Sequence, residues 1–374
     1  MQALERWQPI RITSRTLLSL SVLAATVPTL AHAQTVVLYG RLNLDYERIQ
    51  IRQNNPAGTA SNYDRVSSNS SRFGLRRSED LGDGVSAIFQ VESGVNVDVG
   101  TGEIASRDSW VGIKGGFGQI RLGKMDTPMK NSGGMTDRFR GTGIQDDGGI
   151  AALGGSGNGF SRRQNNAMRY DSPVFAGMRI ELQHGFETED SLLKQRVTTL
   201  GLNGQVSALK YYAVYEQHRN FVAGKKDSAV RLAVNYDADA LNIGSEVTRL
   251  NYALVAGSVT RNYFTVTAGY KIGSGTINAR YGQALTVKGS APDGTLVTGA
   301  DGNALFKGAR SGARNYTIGY EYNFSKRTQL FTYYTKIAND ANANYRFGVN
   351  AVTSAGTGKG ADPAGIAIGM AHDF

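Results

Sequence analysis

Residues 264–272 read Phe-Thr-Val-Thr-Ala-Gly-Tyr-Lys-Ile and run into a turn-like cluster, Ile272-Gly273-Ser274-Gly275. Apolar side chains fall on every second position, with Thr, Gly or Lys between them. A period of two is that of a strand with one apolar face and one polar or small face. The same alternation marks Arg41–Tyr46, Asn315–Phe324 and Gly365–Phe374. A soluble β-sandwich alternates too, but its strands usually have about 5–6 residues. The runs here are often 11–13 residues long, nearer to the ~9–11 that a membrane-crossing strand needs. Tyr and Phe also gather near strand ends, as in the aromatic girdles of membrane barrels.

Tight clusters recur along the chain at Leu81–Gly84, Gly115–Gly118, Ser172–Gly177, Asn203–Gln205, Asp237–Ala240, Ile272–Gly275 and Asn323–Arg327. Their basal spacing is near 34 residues, one hairpin plus its loop, with two intervals enlarged by insertions. The first eight strands are read at 36–46, 70–77, 84–92, 106–114, 118–124, 166–171, 177–187 and 196–204. The rest are read at 206–217, 227–237, 239–251, 260–272, 274–286, 310–324, 327–338 and 363–374. Those at 84–92, 106–114 and 327–338 alternate poorly. Sixteen is an even number, as single-chain bacterial barrels have, and at that size a barrel leaves an aqueous channel. The expected fold is therefore an all-β, 16-stranded antiparallel transmembrane barrel. The largest insertion, residues 125–164, is rich in Gly, Asp and Arg, and loops of that length are usually functional.

The N-terminus carries Arg6, Arg11 and Arg15 against Glu5, then the 15-residue apolar run Thr16–Leu30, then Ala31-His32-Ala33. That is the form of a cleaved secretory signal peptide over residues 1–33, and the run is short for a ~30 Å hydrocarbon core. Its removal leaves a barrel over residues 34–374 and takes the formal charge from +10 to +8. Composition agrees with short turns and many strands. Gly supplies 47 of 374 residues, Tyr 18 and Phe 14, with 7 Pro and no Cys. Without cysteine there is no disulfide framework, thiolate metal site or cysteine nucleophile.

Five stretches resemble the trimeric general porins of Gram-negative bacteria, most closely their β-proteobacterial branch. They are TVVLYGRLNLDY from Thr35, SSRFGLRRSEDLGDGVSAIFQVE from Ser70, RDSWVGIKGGFGQIRLGKMDTP from Arg107, RYDSPVFAG from Arg169, and the terminal GMAHDF. The resemblance implies a passive outer-membrane channel, assembled as a homotrimer, in which the loop between the fifth and sixth strands folds inward to narrow the pore. Basic wall positions of the family match Arg41, Arg72, Arg107 and Arg163. Strand parity turns Arg41 and Arg72 away from the apolar face and is ambiguous at Arg107. On the loop, Asp137 matches an acidic position. The proline–glutamate–phenylalanine–glycine stretch of the enterobacterial branch is missing, Arg138 and Arg140 stand near its place, and Asp146 and Asp147 are candidates for the acidic side. The terminal Phe374 matches the family's assembly signal. Implied partners are further copies of the chain, outer-membrane lipid, the barrel assembly machinery, and small hydrophilic solutes and ions.

Other functions have weaker support. A pI of 9.6 suggests nucleic acid only with a basic patch and aromatic platforms, and here the arginines are scattered at lumen-facing positions. His184, His218 and His372 lack metal-ligand spacing and read as solvent-facing. No catalytic residue, metal site or cofactor is expected. Three alternatives remain: a solute-specific channel for organic or inorganic anions, a barrel-type outer-membrane enzyme, and an autotransporter barrel. The enzyme lacks a visible Ser–His–Asp set, and the autotransporter lacks room for a passenger domain. The excess of basic residues points to an anion-leaning channel.

Overall fold

The computed structural model describes residues 35–53, 59–139, 143–155, 157–187, 193–352 and 358–374; the leader read at residues 1–33 and its cleavage site lie outside them. Sixteen antiparallel staves form one closed barrel. The first is β1, Val37–Arg52; β2 is interrupted, running Ala60–Ser68 and Arg72–Gly82. Next are β3 (Val85–Asn96), β4 (Thr101–Glu103 and Ser109–Gly115), β5 (Gly118–Asp126), β6 (Arg163–Asp171), β7 (Met178–Gly185) and β8 (Arg196–Val206). The second half holds β9 (Leu209–Arg219), β10 (Lys226–Ala238), β11 (Leu241–Leu254), β12 (Gly257–Ile272) and β13 (Gly275–Ala284). It ends with β14 (Ala313–Asn323), β15 (Thr328–Asn339) and β16 (Asp362–Asp373). Each stave pairs with its neighbours in sequence. The circle closes where β1 meets β16, in register from Arg41↔Asp373 to Arg52↔Asp362.

Alternation sorts the side chains. Leu42, Phe73, Val111, Leu122, Leu232, Val247, Ile318, Ile368 and Met370 stand exposed on the outside, where hydrocarbon would cover them. Asn43, Asp45, Glu47, Arg231, Glu246, Arg261 and Arg280 are buried on the inside. Above the apolar belt the pattern of β1 inverts. Ile49 and Ile51 are buried inward while Arg48, Gln50 and Arg52 face out.

The observed staves match the expected sixteen in number and order, and differ in extent. β1 runs on to Arg52 rather than 46, and the second stave reaches back to Ala60. Its break at residues 69–71 is stitched by Asn43, whose N–H donates to Ser71 Oγ at 3.0 Å and whose Nδ2 donates to Asn69 O at 3.1 Å. The turn expected at Asn203–Gln205 falls instead after Val206, around Ser207 with its positive φ of 53°. Gly204 stays in the ladder because the Tyr211 ring lies over its Cα, leaving no room for a side chain.

Two short helices, α1 (Pro128–Gly133) and α2 (Gly148–Ala152), and a 3₁₀ turn at Gly143–Gln145 lie in the segment between β5 and β6. α1 packs on the inner wall at β7–β10 and α2 against β11 and β12. The connection from β13 to β14 adds a hairpin, Leu296–Thr298 with Ala304–Phe306, and covers α2 through an Ala300 N–H to Leu153 O bond of 2.9 Å.

The seam between the last and first staves has its own packing. Phe374 and Gly40 exchange both backbone hydrogen bonds at 3.0 Å, and a Cβ on Gly40 would come within 2.3 Å of the Phe374 ring. Gly40→Val therefore displaces that ring, an overpacking change typically costing ~1–3 kcal/mol. The folded, detergent-resistant band on an unheated gel should then disappear at a lower temperature than in the parent. An unchanged transition would show that the ring contact does not hold the seam.

Candidate functional site

Four of the arginines singled out in the sequence form a row across neighbouring staves, and each has a carboxylate. Arg41 on β1 holds Asp373 with Nε at 2.5 Å and Nη2 at 3.0 Å. Arg72 on β2 lies 3.7 Å from Glu92 of β3, whose Oε1 accepts Arg107 Nε at 2.5 Å. Tyr39 donates to the other Glu92 oxygen at 3.0 Å. Arg163, opening β6, meets Asp108 at 2.5 Å and Asp126 at 3.0 Å, and Lys130 shares Asp126 at 3.0 Å. Parity is ambiguous at Arg107 because it sits in the gap of β4, where its N–H leaves the ladder for Glu92 O at 3.0 Å.

The carboxylates Glu92, Asp108, Asp126 and Asp373 were not singled out in the sequence. They stand at ordinary lumen-facing positions, and only strand pairing brings them beside the arginines. Their charges offset those of the row. In partly buried surroundings such pairs fix side-chain positions more than they add net potential.

The inserted segment is built from the Thr127-Pro128 start of α1. Thr127 Oγ1 accepts the Lys130 N–H at 3.3 Å, and proline takes the first helical position, where a missing N–H costs nothing. Six residues form too short a helix to hold itself, and three arginines of the far wall hold it and the chain beyond. Arg231 on β10 donates from Nη1 to Met129 O at 2.9 Å while its Nε pairs with Glu246 at 2.9 Å. Arg261 on β12 donates to Ala151 O at 2.8 Å. Arg280 on β13 donates to Gln145 O at 2.5 Å and to Asp137 at 3.0 Å, with Asp147 at 3.5 Å. These three were missed in the sequence, since an inward arginine waiting for a loop carbonyl looks like any solvated wall residue.

The acidic residues of the segment thus gather around Arg280. No ion pair joins them to the row on β1–β6 among the described residues. Tyr263 also donates to Asp147 at 3.0 Å, and the Asp137 carboxylate accepts the Phe139 N–H at 2.9 Å. Burial, with the Asp147 and Asp137 carboxylates beside it, pushes Asp146 up to about 7. Burial likewise raises Asp137, against the pull of Arg280. Arg138 donates to Asn235 at 2.7 Å and to Met135 O at 3.1 Å. Arg140 lies outside the described residues. Asp126, Lys130, Asp137, Asp146, Asp147 and Arg231 border one common cavity between the two limbs of the segment.

One expectation is corrected. His218 is not solvent-facing: it is fully buried, stacked 4.0 Å from Phe160 and 4.6 Å from Phe221, with Nε2 on Glu216 at 2.9 Å. The segment folding back over the wall covers it. His184 and His372 hydrogen-bond to threonines across the ladder, at 2.8 and 2.9 Å.

The tip is held by Phe139, which is fully buried and packs edge-on to Tyr333 of β15 at 5.6 Å, and Arg280 lies 4.8 Å from its ring centre. Phe139→Ala removes a buried aromatic usually worth ~3–5 kcal/mol. Hydrogen exchange over residues 127–139 should accelerate on the order of a hundredfold, while β9–β12 stay protected. Equal rates in the variant and parent would show that the ring does not anchor the tip.

The sequence matches the model of the Gram-negative porin family over residues 19–344. The major outer membrane protein P.IB of Neisseria meningitidis serogroup B is 26% identical over 324 residues, covering 84% of this chain and 90% of that protein. Outer membrane porin protein 32 of Delftia acidovorans is 27% identical over 377 residues, covering 96% and 99%. In fold, the chain resembles the anion-selective porin from Comamonas acidovorans with a TM-score of 0.73 at 22% identity, over 91% of this chain and all of that one. It resembles OmpF of Salmonella typhi with a TM-score of 0.61 at 13% identity, over 91% of this chain and 98% of that one. A closed barrel of sixteen staves, a segment folded into its lumen and a family match over most of the sequence lead to one assignment: this chain belongs to the Gram-negative porins, the channel-forming barrels of the outer membrane.

Proposed function

We propose that the protein is a passive, water-filled, anion-leaning channel for ions and small hydrophilic solutes, assembled as a homotrimer with a pore in each subunit and without catalysis. The observation that carries the lean is an asymmetry of pairing. Arg41, Arg107 and Arg163 have carboxylates at 2.5 Å. Arg138, Arg162 and Arg261 have none within 4.0 Å among the described residues, although all lie on the loop or the inner wall. Asp137 and Asp147 are paired with Arg280, and burial pushes Asp146 up to about 7, toward its neutral form. Positive charge without an ion-pair partner thus stands on the loop and the inner wall. In a narrow lumen such charge acts on ions passing within about a Debye length, ~8 Å. The name of the Comamonas porin, anion-selective, agrees with this reading.

In this reading Arg41, Arg72, Arg107 and Arg163 form the basic wall of the constriction, and Asp137, Arg138, Arg140, Asp146 and Asp147 belong to its loop side. Reversal potential in a salt gradient across a planar bilayer tests it. Arg72→Glu with Arg163→Glu should move the potential toward cations, because the carboxylate introduced at position 163 would face Asp108 and Asp126. The shift should shrink as salt rises. A parent that strongly prefers potassium over chloride, or a double variant with an unchanged ratio, would remove these arginines from the selectivity filter.

Phe374 is proposed as the signal read by the barrel assembly machinery. Deleting it should lower insertion into the outer membrane and leave export across the inner membrane intact. Normal insertion of the deletion variant would reduce Phe374 to a packing residue at the β1–β16 seam.

A further inference from the structure

The arginine before β6 behaves unlike its neighbour. Arg163 takes two carboxylates, whereas Arg162, pointing the other way along an extended chain, takes none among the described residues. Its Nε and Nη1 are buried without a hydrogen-bond partner, and its Cζ lies 5.0 Å from the centre of the Phe221 ring. Glu216 is within electrostatic reach of Arg162. However, its two oxygens already accept from Thr199 at 2.8 Å and meet His218 at 2.9 Å. Phe221 ends a file of stacked rings, 4.6 Å from His218, which is itself 4.0 Å from Phe160. That file makes the floor beside Arg162 flat, aromatic and stiff.

An open cavity of about 150 Å³ adjoins it, its lining including Arg162, Gln164, Asn165, Phe186, Gln195 and Phe221. We infer that this cavity is a docking site for small planar carboxylates of the benzoate type, a station on the path of anionic solutes toward the constriction. It rests on the channel reading and names a solute class for it. A cation with little water and no carboxylate at ion-pair distance among the described residues favours an anion. A guanidinium N–H donates to a carboxylate in a charge-assisted hydrogen bond. The Phe186 ring and the edge of Phe221 favour an aromatic ring beside them, and the amides at the rim accommodate polar substituents. Chloride would satisfy the charge and leave the ring faces unused. Occupancy is brief, as conduction requires binding weak enough to release.

Single-channel recording in potassium chloride tests the site, with benzoate or cyclohexanecarboxylate added, the latter having the same charge without a planar ring. Benzoate should interrupt the parent's current at lower concentration than cyclohexanecarboxylate. Arg162→Gln should weaken the benzoate effect on the order of tenfold, the loss of one charged hydrogen-bonding group. Phe221→Leu should narrow the preference between the two acids. Equal interruption of parent and Arg162→Gln by benzoate, or equal potency of the two acids on the parent, would overturn the inference. A parent that conducts potassium chloride but ignores benzoate loses only this site. A parent that does not conduct at all loses the channel reading itself.

Discussion

Everything in this molecule depends on the ladder between β1 and β16. In hydrocarbon an unpaired peptide group costs several kcal/mol, so a sheet that crosses a membrane must have no edge. The register from Arg41↔Asp373 to Arg52↔Asp362 removes the last edge. The same contact positions Arg41, because its carboxylate partner comes from the closing stave. Sixteen staves then enclose a lumen too wide to be filled by their own side chains, and the segment between β5 and β6 occupies part of it.

That segment must satisfy its own peptide groups inside the lumen. Its carbonyls at Met129, Gln145 and Ala151 each receive an arginine from the wall. Arginine suits the task, since one planar group can serve a carbonyl and a carboxylate together. Arg280 does so for Gln145, Asp137 and Asp147. The arginines of the far wall thus hold the loop, and those of β1–β6 are matched with wall carboxylates. Arg138, Arg162 and Arg261 have no carboxylate at ion-pair distance among the described residues, and the proposed anion lean rests on that difference.

Much of this was legible in the sequence. Period two gave the staves and the inward side of Arg41 and Arg72, because a strand has only two faces. Where the alternation failed, the structure supplies the reason. The strand read at 327–338 has apolar residues on both faces: Leu330 and Tyr334 look outward, and Phe331 and Tyr333 are buried inward. The inward pair receives Phe139, so the poor alternation marks where the loop lands. Ile49 and Ile51 are buried inward in the same way, with Ile144 near Gly365 of the adjoining stave. No periodicity reveals such landings, nor the partners of Arg231, Arg261 and Arg280, because these contacts join residues some hundred positions apart.

The seam also has a consequence in time. A chain made from its N-terminus presents β1 first, and β1 waits for a partner more than three hundred residues downstream. Until β16 arrives, one flank of β1 and the growing flank of the newest stave are both open templates for pairing with other chains. Closure across so long a span carries a large entropic penalty and is slow. An unclosed barrel is therefore open to mispairing, and that exposure ends only when Phe374 settles over Gly40.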